Sequence, residues 1–269
     1  MELLKYYWRA ETPRRIVHPF VRDLIDKVIE GNQPYDVFKE LRELRKQLSR
    51  TDRVVEVEDL GAGSQRQRGQ FRKLSGIVRH SVSREWQCRM LFRLVHYLGA
   101  EYRLELGTSV GLSSLYQYFA NPQSLMISLE GSPELAKIAR QNFDRMEAKH
   151  LRLMEGPFAK NLSRALEQLG KLDFAFIDGN HAKAPTLEYF ETCLPYTHEH
   201  SVLVFDDIYW SQGMQEAWTV IKKHPRVSLT VDLYWAGFVF FHKEQVKTEH
   251  YTYIPQWCKP WQWGIDDKK

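Results

Sequence analysis

The sequence predicts an α/β protein: a doubly wound, mostly parallel seven-stranded sheet with its last strand antiparallel, preceded by a helical N-terminal extension. Three observations carry this. Short apolar runs alternate with segments of helical periodicity from Tyr102 onward. The last two runs, 226–232 and 236–242, are joined by a turn at Tyr234–Gly237 too short for a crossover, so they must be antiparallel. A glycine turn follows the first strand, and the next strand ends in an acid, as in nucleotide-binding sheets.

Each element has its own signal. Residues 20–49 read as helices, the first (FVRDLIDKVIEG) ending at Gly31 and the second (YDVFKELRELRKQL) amphipathic. Residues 54–84 read as irregular, with a polar stretch, VEDLGAGSQRQRGQ, expected to fold over the site as a lid. Ser83 is a candidate N-cap for a helix that runs through Leu98 and stops at Gly99. Strand 102–106 leads to helix 110–119, and strand 125–129 to helix 133–147, with Ser132 as cap and Pro133 in the first turn. Strand 150–154 precedes helix 158–169, strand 172–177 precedes a helix near 185–194, and strand 201–205 precedes helix 212–223. Residues 243–269 hold Trp257, Trp261 and Trp263 and are expected to pack back on the domain, because exposed tryptophans are costly. The organisation is thus an extension (1–83), an α/β domain (84–242) and an aromatic tail (243–269).

Composition narrows the class. The 269 residues are 43% hydrophobic and 27% charged, as in a globular protein with a sizeable core. No run approaches the ~18 apolar residues of a membrane helix. The opening MELLKYYWRAETPRR mixes Glu2 and Glu11 with bases and does not read as a secretory signal. Cys88, Cys193 and Cys258 are odd in number and widely spaced, which reads as reduced thiols in a cytoplasmic protein. Charge is uneven: residues 1–100 hold 20 Lys and Arg against 13 Asp and Glu, the remainder 18 against 21. Between Leu60 and Arg84 stand Arg66, Arg68, Arg72, Lys73, Arg79 and Arg84 with no acid. An anionic partner and a solvated loop are both open readings of that run.

Chemistry concentrates at strand ends. RLELGTSVG places Glu105 before Gly107, Thr108, Ser109 and Gly111, and MISLEG ends the next strand at Glu130 and Gly131. The dinucleotide fingerprint needs a third glycine, and a carboxylate beside the turn would repel a pyrophosphate. The same carboxylate suits a cationic end, which favours S-adenosylmethionine. Farther along, Asp178-Gly179-Asn180-His181 follows one strand and Asp206-Asp207 the next. Three acids without a basic partner repel one another. A divalent cation such as Mg²⁺, Ca²⁺ or Mn²⁺ held by Asp178, Asp206 and Asp207 would relieve this. It could lower the pKa of a substrate hydroxyl, while His181 offers the alternative of a general base.

LELGTSVG, SLEGSP, LDFAFIDGNH and VLVFDDI together resemble the class I S-adenosylmethionine-dependent methyltransferases, nearest the catechol-type and sugar-type O-methyltransferases, over roughly 84–242. The resemblance implies a Rossmann-like methyltransferase fold. It places Glu105, Gly107 and Gly111 at the methionine end of the cofactor, with Thr108 and Ser109 in the same turn. It places Glu130 and Gly131 at the ribose and Asp178 beside the reacting methyl, with Asp178, Asp206 and Asp207 as metal ligands. The chain departs from the family at Glu155-Gly156-Pro157-Phe158, where an adenine-reading acid or amide is usual. Gly156 and Phe158 are left as the adenine contacts, with ring stacking and core packing both open for Phe158. The expected activity is O-methylation of a small-molecule or glycoside hydroxyl. An RNA methyltransferase and a catalytically silent cofactor-binding scaffold are the alternatives, and the helical N-terminus is a candidate homodimer surface.

Overall fold

The computed structural model describes residues 2–57, 71–243 and 247–261. The N-terminal part holds α1 (Glu2–Arg9), α2 (Pro19–Leu24) continuing as one π-helical turn (Ile25–Ile29), and α3 (Val37–Leu48). A two-stranded antiparallel ribbon of β1 (Val54–Glu56) and β2 (Phe71–Lys73) leads into α4 (Leu74–His80) and α5 (Glu85–Leu98). The stretch 54–84 is therefore not irregular throughout, because α4 buries Leu74, Ile77 and Val78. The centre of the expected lid, including Arg66 and Arg68, lies outside the described residues. Of the rest of the basic run, Arg72 is buried, Lys73 pairs with Asp52 at 3.8 Å, and Arg79 donates to the Ser49 carbonyl at 2.6 Å.

Beyond α5 the chain alternates: β3 (Tyr102–Leu106), α6 (Leu112–Ala120), β4 (Leu125–Glu130), α7 (Pro133–Arg145), β5 (Leu151–Glu155), α8 (Phe158–Leu169), β6 (Leu172–Ile177), α9 (Lys183–Cys193), β7 (Thr197–Asp206), α10 (Gln212–Lys222), β8 (Leu229–Asp232), β9 (Ala236–Phe240) and β10 (Glu249–Thr252). The sheet order is β10-β8-β9-β7-β6-β3-β4-β5. β9 slots antiparallel between β7 and β8, and the other pairings are parallel. The sequence leads one to expect seven strands; β10 adds an eighth, parallel to β8 at the edge.

Both faces of the sheet's centre are covered, so strands such as β6 (LDFAFI) and β9 (AGFVF) are apolar and buried at nearly every position. Phe174 and Phe176 turn to the layer of α5, α6 and α7, while Ala175 and Ile177 turn to α8, α9 and α10. The tail straps the N-terminus down: Glu11 N–H donates to Thr252 O at 2.6 Å, and Ile254 N–H to Glu11 O at 2.9 Å. Tyr253 and Ile254 are buried, but Trp257 and Trp261 stand 77% and 62% exposed, contrary to expectation. Backbone pairing, rather than tryptophan burial, returns the tail. Trp263 lies outside the described residues.

The direction of winding reverses between β3 and β6, and ligands of open α/β sheets bind outside the carboxyl ends at such a point. The expected site residues lie there. Strain gathers in the same place. Ser109, Asn180 and Asp207 have φ of 49°, 52° and 51°, each following a different strand of this sheet. Left-handed non-glycine residues are uncommon and cluster where function over-determines the backbone.

Candidate active site

The turn after β3 is shaped by close approach. Gly107, at φ 102°, lies so near the chain after β6 that a Cβ would fall 1.9 Å from the Asp178 carbonyl oxygen. Gly111, at φ 83°, faces the ring of Phe143, which would lie 2.4 Å from a Cβ there. The N–H groups of Gly107 and Thr108 both reach the Leu129 carbonyl, at 3.0 and 3.1 Å, which ties the turn to β4.

The acids of this half serve the fold first. Leu104 and Leu106 face the α8 layer, so the twofold period of a strand sends Glu105 beneath α6. Glu105 is fully buried there and accepts from Ser128 Oγ at 2.7 Å, Gln117 Nε2 at 2.7 Å and Ser114 Oγ. Burial pushes its pKa up, against the pull of these donors. Its carboxylate ties β3 to α6 and β4, where the sequence points to a cofactor contact. Thr108 is also turned inward, its hydroxyl 2.5 Å from that of Ser128.

Glu130 is buried at the end of β4 and accepts from the N–H of Ser109 at 2.6 Å and of Ser132 at 2.8 Å. Its pKa is pushed up to about 7, by burial, despite those donors. Each oxygen keeps lone-pair capacity for a further donor. Ser132 contributes its backbone here, and its hydroxyl does not cap α7. Gly131 lies between these two residues. Gly156 sits at φ 118° and donates to Glu130 O at 2.8 Å. Phe158 lies against Gly179 and stands edge-on to Tyr189 at 6.1 Å, so at least part of its ring packs on protein.

The other half is built after β6 and β7. Asp178, His181 and Asp206 each place one ligand atom within 4.8 Å of the others. His181 Nε2 is 3.4 Å from Asp178 Oδ1, and the hydroxyl of Ser83 donates to Asp178 Oδ2 at 3.2 Å. Ser83 is held by its own carbonyl, which accepts from Arg45 Nη2 at 2.7 Å. The N-cap of α5 is instead Arg84, whose N–H meets the Gln87 side chain at 2.6 Å. Asp207 does not belong to the close group, and its backbone N–H donates to Trp235 O at 2.7 Å.

Charge in this cluster is poorly balanced. Asp206 is buried, and its Oδ1 has no hydrogen-bond partner. Burial, then the neighbouring Asp178 and Asp207 carboxylates, push its pKa well up. Asp207 is raised too, chiefly by burial, with His181 opposing. For His181, burial alone would lower the pKa, and Asp178 with Asp207 outweighs it, so the imidazole is raised. An orphaned buried oxygen, two carboxylates and an imidazole at ligand spacing fit a divalent cation. Carboxylates suit Mg²⁺ or Mn²⁺, and an imidazole nitrogen tilts the set from Mg²⁺ toward Mn²⁺.

Sequence reasoning does not pair Ser83 with Asp178, since 95 residues separate them and no local signal links them. It also misses Asp232, which is buried beside the loop after β7. Asp232 accepts from Tyr209 Oη at 2.6 Å and Trp218 Nε1 at 3.3 Å, and Arg9 from α1 lies 3.6 Å away. This anchors α1 at the carboxyl end of the sheet.

Residues 104–208 match a family model described as a methyltransferase domain. No curated protein sequence matches the chain. Among solved structures, the S-adenosylhomocysteine-bound Podospora anserina methyltransferase PaMTH1 is similar. Its TM-score is 0.60 at 16% identity, over 85% of this chain and 98% of that one. An O-methyltransferase from Bacillus cereus in complex with S-adenosylhomocysteine has a TM-score of 0.53 at 22% identity, over 82% and 97%. The O-methyltransferase TomG from Streptomyces achromogenes, with S-adenosylmethionine, has a TM-score of 0.52 at 20% identity, over 60% and 82%. At these identities the likeness is one of fold.

Proposed function

We propose that this chain, with its methyltransferase domain across residues 104–208, transfers a methyl group from S-adenosylmethionine to a hydroxyl of a small organic acceptor with the help of a divalent cation. The observation that carries this is the under-satisfied cluster of Asp178, His181 and Asp206 beside the Gly107–Gly111 turn, in a fold shared with cofactor-bound methyltransferases. That nearness lets the methyl donor and the acceptor oxygen meet at one place.

In this reading the turn Gly107–Gly111 offers backbone to the methionine end of the donor, and Glu130 accepts from the ribose hydroxyls. Gly156 and Phe158 border the base. Asp178, His181 and Asp206 would hold the cation, whose positive charge would acidify a nearby hydroxyl. The donor supplies a methyl on a positively charged sulfur. The acceptor oxygen forms a C–O bond as the C–S bond breaks, and the electron pair stays on sulfur as S-adenosylhomocysteine. The hydroxyl proton passes to Asp207, which stands outside the close group. Ser83 and Arg45 fix Asp178, and holding the reactants in line supplies much of the rate.

Calorimetry with S-adenosylhomocysteine should show one site per chain, and no heat at millimolar ligand would end the reading. Turnover with Mn²⁺ or Mg²⁺ should vanish on chelation and return on adding either ion. Turnover that persists in chelator would remove the cation from the mechanism.

A further inference from the structure

An open cavity of about 660 Å³ is walled in part by the turn between β8 and β9, which pairs with the loop that carries Asp206 and Asp207. Trp235, in its lining, accepts the Asp207 N–H through its carbonyl at 2.7 Å. Tyr234, also in the lining, stacks on Tyr209 with centroids 5.0 Å apart and planes within 7°. On the opposite wall Trp86 belongs to α5, three residues after Ser83, and meets Trp235 edge to face at 5.4 Å. The cavity thus touches, through one residue each, the segments that hold Asp207 and Asp178. Its volume lies within the ~300–1,000 Å³ of small-molecule sites.

The lining is largely apolar, and the hydroxyls of three of its four tyrosines are engaged elsewhere. Tyr7 Oη donates to Cys258 O at 2.9 Å, Tyr6 Oη to Tyr253 O, and Tyr253 Oη to Glu30 Oε1. Glu30 is the one charged lining residue among the described residues. What remains is mostly ring faces and aliphatic surface, with few polar atoms for the many hydroxyls of a sugar, and Leu3 and Leu4 of α1 are exposed by 59% and 64%. A sugar entering such a space would leave its hydroxyls unpaired, at a cost of about 1–3 kcal/mol for each buried one. A single phenol ring would occupy only part of the volume.

We infer that this cavity binds the methyl acceptor, and that the acceptor is a hydroxylated molecule with an apolar body of more than one ring. The inference rests on the methyltransferase reading and adds the chemistry of the acceptor to it. Small-molecule sites commonly join an apolar body with a few placed polar groups, and the acids that lie beyond Trp235, outside the lining itself, would supply them to an acceptor whose hydroxyl reaches past that residue. The N-terminal helix, α5, the β8–β9 turn and the tail each form part of the wall, so the extension and the tail define the acceptor.

The test uses the full chain saturated with S-adenosylhomocysteine and Mn²⁺, with 2-naphthol, catechol and methyl β-glucoside as probes in calorimetry. 2-Naphthol is expected to bind at least tenfold more tightly than either of the others. Leu4→Glu, a change at an exposed position, and Met90→Trp, which fills the cavity from α5, should each weaken 2-naphthol at least tenfold. S-adenosylhomocysteine affinity should stay within twofold in both, which also shows that they fold. If S-adenosylhomocysteine binds and 2-naphthol binds no better than the glucoside, the apolar-acceptor inference falls while the methyltransferase reading stands. It falls likewise if either folded variant holds 2-naphthol as the parent does. If S-adenosylhomocysteine itself does not bind, both fall.

Discussion

The two halves of the crevice treat their acids in opposite ways. After β3 and β4, Glu105 is met by Ser114, Gln117 and Ser128, and Glu130 by two backbone N–H groups. After β6 and β7, two carboxylates and an imidazole crowd together, and Asp206 keeps a buried oxygen with no partner. A buried acid completed by its own chain fixes shape, because removing it orphans several donors at once. A buried acid left short is waiting for something from outside, whether a proton or a cation. The first half is therefore built as scaffold, and the second is the half to which the proposed function assigns the chemistry.

The contrast predicts opposite outcomes for two similar substitutions. Glu105→Ala leaves three buried donors without an acceptor and a void under α6. Unfolding by denaturant should show a loss of about 3–5 kcal/mol. Asp206→Asn instead replaces a buried carboxyl whose ionisation burial and the neighbouring carboxylates oppose, so without added cation its stability should stay within about 1 kcal/mol of the parent or rise. Its turnover should fall at least about a hundredfold, near 2.7 kcal/mol in the barrier. Equal losses of stability at both sites would erase the distinction between scaffold and chemistry.

Asp207→Asn sharpens the contrast within the second half. The close group comprises Asp178, His181 and Asp206, whereas the sequence points to Asp207 as the third ligand. If Asp207 only receives the proton, its amide variant should lose roughly 10–100-fold in turnover. The Mn²⁺ concentration giving half-maximal rate should then hardly move. A rise in that midpoint as large as for Asp206→Asn would return Asp207 to the ligand set and release His181 from it.

Much of this was readable before any coordinates, for identifiable reasons. The strands of the sheet are buried on both faces, so they stand out as continuous apolar runs, and the acids that end them mark the crevice. Glu105 is readable too, through its period rather than its neighbours. Alternation with Leu104 and Leu106 puts it under α6, where Ser114 and Gln117 stand one helical turn apart. Proximity to the glycines suggests a cofactor contact only if the alternation is ignored. β10, with the short polar run Glu249–Thr252, carries no apolar signal because it is an edge strand held by backbone bonds. The contacts of Ser83 with Asp178 and of Arg9 with Asp232 join distant parts of the chain, and only the fold brings them together. The cavity likewise draws its wall from both ends of the sequence.

Glu130 lies between the two kinds of acid, and it gives the smallest and most specific expectation. It is partly satisfied, yet burial holds its pKa at about 7. In the absence of ligand its folded form keeps the proton more tightly than the unfolded chain does. It therefore costs stability increasingly as pH rises from the usual glutamate range through about 7. In the proposed function ribose hydroxyls donate to the ionised carboxylate, and binding of S-adenosylhomocysteine would then expel that proton. Affinity should fall about tenfold as pH drops from 8 to 6, because below the folded pKa each unit of pH changes the cost of expulsion by ~1.4 kcal/mol. Titration calorimetry at several pH values measures this directly, and Glu130→Gln should flatten the dependence while weakening binding at pH 8. A slope that survives in the glutamine variant would assign the proton to another group and make Glu130 scaffold, like Glu105.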